Sequence, residues 1–225
     1  MAILEEIVII SESKKFVFFH TPKTGGSSMT AALAPYSIKG SSNPAPEGSH
    51  AWQCGYHYSP MHATVAKSWE RCPNPKCENY FWFAFVRNPF DLVISAWRMR
   101  QAIYANPIGV HKKRMERRGL KPIEAISLEQ FLDFELGEPE FLHTRWTQSH
   151  HLVHGAPREL DMIGRYETLK EDWGRITDRL RIKVNLPHRN ASNRERGWRQ
   201  YYDEASRKRI ADFYSEDLER WGYGY

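Results

Sequence analysis

Lysine, two glycines and two serines stand together in Lys23-Thr24-Gly25-Gly26-Ser27-Ser28, a combination suited to holding an anion. The glycines let the backbone turn tightly and approach a ligand with no Cβ in the way, and Ser27 and Ser28 can cap a following helix. Lys23 brings a full positive charge. A helix N-terminus would add unpaired N–H groups and the positive end of the macrodipole. A second cation, Arg87, closes an apolar run, and Ser95 lies eight positions further on. A guanidinium offers a phosphate two parallel charge-assisted bonds, so the chemistry these residues suit is nucleotide binding.

The elements that must position them can be read from the surrounding pattern. Phe16 to Phe19 is apolar throughout, as expected of a strand covered on both faces of a parallel sheet. The spacing predicts a helix through Met29 to Ala34, ended by Pro35. Tyr80 to Val86 is a second buried strand, Asn88-Pro89 a turn, and Leu92, Ser95, Ala96 and Met99 recur at helical spacing over Asp91 to Ala105. Further helices are expected at Ser127 to Leu136, Phe141 to Val153, Glu167 to Leu180 and Asp203 to Arg220, with a strand near Met162. Ser37 to Gly55, rich in Ser, Pro, Gly and Asn, reads as a long loop. This alternation predicts an α/β, three-layer P-loop-like fold with a central parallel sheet flanked by helices, formed as a single domain over 1–225.

The nucleoside-triphosphate P-loop places lysine after its last glycine, G-x-x-x-x-G-K-[ST]. Here Lys23 precedes Gly25 and Gly26, and no Gly-Lys-Ser or Gly-Lys-Thr occurs in the chain. The loop instead resembles the 5′-phosphosulfate loop of sulfotransferases of the carbohydrate 2-O-sulfotransferase-like branch. Phe85-Val86-Arg87-Asn88-Pro89, followed by a helix carrying serine, resembles the same family's 3′-phosphate segment. Ile163 to Leu169 and Leu186 to Ser192 resemble its strand-to-helix step and its closing loop, where Ser192 or Arg194 could touch the donor.

The resemblance implies in-line transfer of a sulfuryl group from 3′-phosphoadenosine 5′-phosphosulfate (PAPS) to an acceptor hydroxyl. Lys23, Thr24, Gly25, Gly26, Ser27 and Ser28 would hold the 5′-phosphate, and Arg87 with Ser95 the 3′-phosphate. Lys23 would also neutralise charge on the bridging oxygen. The hydroxyl needs a base near neutral pKa, for which histidine suits best. Of the 10 histidines, His57 in Gly55-Tyr56-His57-Tyr58 resembles the family's His-containing segment, with His62 second and His20 and His50 further candidates. The scheme needs no metal. A carbohydrate is the implied acceptor, with a lipid, small metabolite or peptide tyrosine left open.

The same residues are open to other readings. Cys54, His57, Cys72 and Cys77 have a spacing that a structural zinc could use, which would make His57 a ligand. A P-loop nucleotide kinase, or a catalytically silent nucleotide- or carbohydrate-binding module of the same fold, are the alternative functions. The balance of 32 basic against 27 acidic residues gives +5, which suits anionic ligands and carries no nucleic-acid motif. The basic run His111 to Lys121 reads as a solvated face. No apolar stretch of about 18 residues indicates a membrane span. Met1 to Ile10 lacks the pattern of a secretory signal, so a cytoplasmic enzyme is expected.

Overall fold

The computed structural model describes residues 8–36, 56–57, 64–70, 75–105, 116, 126–136, 147–187 and 197–225. Its contacts gather into two compact units, Met1–Arg87 with Gln148–Ala191, and Asn88–Thr147 with Ser192–Tyr225.

The first unit is built on five strands: β1 (Val8–Ser11), β2 (Phe16–Phe19), β3 (Tyr56–His57), β4 (Phe81–Val86) and β5 (Met162–Arg165), in the order β3-β1-β2-β4-β5. Strands β2, β4 and β5 run parallel, as the apolar runs implied. The sequence reading did not include β1, which pairs antiparallel with β2 and with the two-residue β3. Register places Ile9, Phe18, Phe83 and Met162 in one row across the sheet. Because side chains alternate along each strand, the aromatic runs supply both faces.

One face packs Phe16, Phe18, Phe83 and Phe85 against Met29 and Leu33 of α1 (Gly26–Leu33) and Trp173, Ile176 and Leu180 of a helix at Leu169–Leu180. Burying each such side chain is worth about 1.5–3 kcal/mol. On the other face Trp82 meets Phe19, and Trp69 of α2 (Val65–Glu70), each at 5.2 Å between ring centroids. Helices therefore cover the sheet on both sides, which is the three-layer arrangement expected.

The second unit is helical. Its α3 (Pro89–Ala105) starts with proline at its first position, where a missing N–H costs nothing, and Asn88 Oδ1 accepts the Phe90 N–H at 3.0 Å. In α4 (Leu128–Leu136), Ser127 and Gln130 bond reciprocally, side chain to backbone, at 3.0 and 3.1 Å. The remaining helices are α5 (Gln148–Leu152) and α6 (Leu169–Leu180) in the first unit, and α7 (Glu204–Phe213) and α8 (Ser215–Trp221) in the second. Phe90, Val93, Ile126, Phe131, Leu132, Ile210 and Tyr214 form the second unit's core.

Two expectations about helices need correction or restriction. Asp203 to Arg220 is two helices separated at Tyr214, where φ is −100° and ψ 22°. Ser215 followed by Glu216 and Asp217 supplies the acidic first turn that favours a new N-terminus. The expected helix from Phe141 to Val153 is observed as α5, and its first part lies outside the described residues, as do Ser37 to Gly55 and most of His111 to Lys121. Among the described residues, no helix is long and apolar enough to cross a membrane.

Candidate functional site

The loop from His20 to Gly25 joins β2 to α1 and is shaped by two left-handed residues, Lys23 (φ 62°) and Gly25 (φ 85°). Glycine adopts this region at no steric cost. For lysine it is strained, and such strain is characteristic of ligand-binding turns. Thr24 closes the turn by donating its buried hydroxyl to the Thr21 carbonyl at 2.8 Å.

Capping differs from expectation. Gly25, with its left-handed backbone, is the N-cap residue, and its carbonyl accepts from Ser28 N at 3.0 Å and Met29 N at 3.4 Å. Ser27 and Ser28 lie inside the first turn, past the N-cap position. By helix geometry the first-turn amides point out of the helix end, where an anion can accept from them.

Gly26 has a separate reason to be glycine. A Cβ built there would collide with Cδ2, Nε2 and Cε1 of His20. The imidazole stacks on Phe18, 6.2 Å between centroids and 18° between planes, and its Nδ1 is sealed from solvent with no hydrogen-bond partner among the described residues. Burial, and then the charge of Lys23, lower the His20 pKa to about 4. At neutral pH this ring is uncharged and a weak proton acceptor.

Arg87 follows β4 directly and is 3% exposed. Its Nη1 donates to the carbonyl of Lys23 at 2.8 Å, so the two sequence segments read as phosphate-binding are joined by a hydrogen bond. The guanidinium lies 3.9 Å from the ring centroid of Tyr166, at the end of β5. The same ring is 3.4 Å from where a Cβ of Gly25 would be. His20, Arg87 and Tyr166 each follow the C-terminal end of one of the parallel strands β2, β4 and β5. Carboxyl ends of such strands are where open α/β sheets bind ligands.

The other residues singled out from sequence are placed as follows. Ser95 is buried on α3 of the second unit. His57 lies on β3, paired with Val8. His50, His62, Cys54, Cys72, Ser192 and Arg194 lie outside the described residues. Cys77 is buried in a 3-10 helix, its carbonyl accepting from Trp82 Nε1 at 2.7 Å. Among the described residues no cluster of His, Cys, Asp and Glu has the arrangement of a metal site.

Sequence reasoning did not assign two residues that hold Arg87, Tyr166 and Gln148. Tyr166 follows an arginine at the end of a short strand, a position that could have signalled a ring over the neighbouring strand end. Gln148, at the start of a five-residue helix, carried no local signal.

Three parallel strands flanked by helices, with a strand–loop–helix turn and an arginine at their carboxyl ends, place the chain in the α/β class. Within that class the chain belongs to the sulfotransferase family, whose sequence profile matches residues 7–224. It is similar to carbohydrate sulfotransferase 12 of Xenopus laevis, 26% identical over 198 residues, covering 74% of this chain and 47% of the relative. Carbohydrate sulfotransferase 14 of Homo sapiens is 29% identical over 125 residues, covering 52% of this chain and 33% of the relative. Carbohydrate sulfotransferase 11 of Rattus norvegicus is 26% identical over 113 residues, covering 44% and 32%. The chain thus spans about half the length of the first of these relatives and about a third of the other two.

Proposed function

We propose that the protein transfers the sulfuryl group of PAPS to a hydroxyl of a carbohydrate acceptor. Family membership and the carbohydrate sulfotransferase relatives support this reading. The observation that carries it is the 2.8 Å bond from Arg87 to the Lys23 carbonyl, which ties an arginine to a loop whose turn and helix end suit a phosphate.

In this scheme the amides of Thr24 to Ser28 hold the 5′-phosphosulfate. Arg87 and Ser95 grip the 3′-phosphate. His57 takes the proton of the acceptor hydroxyl while that oxygen forms a bond to sulfur. The bond between sulfur and the bridging oxygen breaks, and Lys23 stabilises the charge that oxygen carries away with the phosphate. Positioning and electrostatics supply most of the rate, as in phosphoryl transfer.

Thermal shift provides the first test, since a ligand that binds only the native state raises its stability by mass action. The product nucleotide 3′-phosphoadenosine 5′-phosphate should raise the melting temperature more than ATP does. A shift with ATP and none with that nucleotide would overturn the reading in favour of a kinase. Transfer of label from PAPS to a panel of carbohydrates then tests the reaction, and donor binding with no transfer to any acceptor would leave a silent module. His57→Ala should lower turnover by roughly a hundredfold or more with donor affinity kept; near-normal turnover removes His57 from the role.

A further inference from the structure

Gln148 opens α5 and is 2% exposed. Its side-chain amide makes both halves of a peptide-like pair with one residue, Arg87. Oε1 accepts the Arg87 N–H at 2.7 Å, and Nε2 donates to the Arg87 carbonyl at 2.9 Å. A carboxamide here imitates the neighbouring strand that β4 lacks beyond its last residue. On the preceding residue, the Val86 carbonyl accepts from Tyr166 N at 2.8 Å, so the backbone leading into Arg87 is fixed on successive peptides.

The side chain of Arg87 leaves this pinned backbone and ends in two further restraints, the Lys23 carbonyl and the Tyr166 ring. A long arginine side chain ordinarily loses much rotamer freedom when immobilised. Here that loss is taken on folding, before any ligand arrives. We infer that Gln148 is a positioning residue for the phosphate-binding arginine, holding the Arg87 main chain so that its guanidinium is preorganised for the 3′-phosphate. The inference rests on the donor reading above.

Few other side chains can replace glutamine in this role. Glutamate keeps an acceptor for the Arg87 N–H but turns a second oxygen toward the Arg87 carbonyl. Methionine keeps the length and makes neither bond, and asparagine is one methylene short.

The test is calorimetric titration of the full chain with 3′-phosphoadenosine 5′-phosphate and with adenosine 5′-phosphate, which lacks the 3′-phosphate. The readout is the ratio of the two affinities. In Gln148→Met that ratio should fall tenfold or more, through weaker binding of the bisphosphate, with adenosine 5′-phosphate affinity changed less than about twofold. Gln148→Glu should also lose the preference and serves if the methionine variant does not fold. A folded variant with the wild-type ratio overturns the inference. So does equal loss for both nucleotides, or failure of both variants to fold, either of which makes Gln148 purely structural. A wild-type ratio near one would refute the donor reading itself, and the inference with it.

Discussion

Gly26→Ala is the substitution whose effect can be worked most directly from the structure. In a helix, alanine for glycine ordinarily gains about 0.5–1 kcal/mol by lowering the entropy of the unfolded chain. At Gly26 the added Cβ meets three atoms of the His20 ring, and that ring is already stacked on Phe18. Overpacking of this kind costs about 1–3 kcal/mol, so a net loss of about 1–2 kcal/mol is expected. Gly174 in α6 is the internal control, because a Cβ there meets nothing within 4 Å and the same substitution should stabilise by about 0.5–1 kcal/mol. Urea denaturation should therefore move the two midpoints in opposite directions at unchanged slope. In a His20→Ala background the clash is gone, and Gly26→Ala should become neutral or stabilising, a coupling of about 1–3 kcal/mol. Wild-type stability of Gly26→Ala, or an equal loss with and without the His20 ring, would refute the argument.

Three other outcomes follow. His20, with a folded pKa of about 4 against 6.5 unfolded, leaves the unfolded chain binding the extra proton between those values; stability should fall by up to about 3 kcal/mol as pH drops from 6.5 to 4, and His20→Phe should flatten that limb of a denaturation-versus-pH series. At Asp161 burial pushes the carboxyl pKa up, but the Arg158 bond, the Trp82 N–H at 2.7 Å and the charges of Arg158 and Arg179 outweigh it and hold it below 3.8. That contribution is present above 3.8 and lost as pH falls through the folded value; solvent screens this 39% exposed carboxylate, so Asp161→Asn should cost only about 0.5 kcal/mol at neutral pH and nothing in strong acid, as read by unfolding at each pH. Lys23→Ala should slow single-turnover chemistry more than it weakens donor affinity; the reverse pattern would reduce Lys23 to an anchor.

What the sequence made legible was whatever depended on local pattern. Four consecutive apolar residues at Phe16 to Phe19, and the longer run to Val86, announced parallel strands because both faces are covered. The helix expected over Glu167 to Leu180 matches α6 to within two residues at its start. Short or cross-chain features escaped. The strand β1 is as short as β2 but is followed by Glu12 to Lys15, with no glycine turn to mark its end, and β3 has two residues. Side-chain chemistry favours the serines as N-cap, whereas the left-handed backbone of Gly25 decides it. Gln148 contacts a residue 61 positions away through an element of five residues, which no local window could reveal.

Lys23 and Arg87 show why the candidate site needs both segments. A non-glycine residue in the left-handed region costs of order 1–3 kcal/mol and persists only where its surroundings impose it. Hydrogen bonds involving a charged partner contribute roughly 1.5–3 kcal/mol, and the Lys23 carbonyl accepts one from the guanidinium. The magnitudes are comparable, so the arginine can offset the strain of the turn it contacts. Its own direction is set in turn by Tyr166 and by the backbone that Gln148 clasps. Truncating Arg87 would therefore remove a cation and also release the turn at Lys23. Removing the lysine side chain would leave that carbonyl, and hence the turn, in place. Loss of Arg87 should accordingly impair loop order and anion affinity together, whereas loss of the Lys23 side chain should impair chemistry with the loop intact.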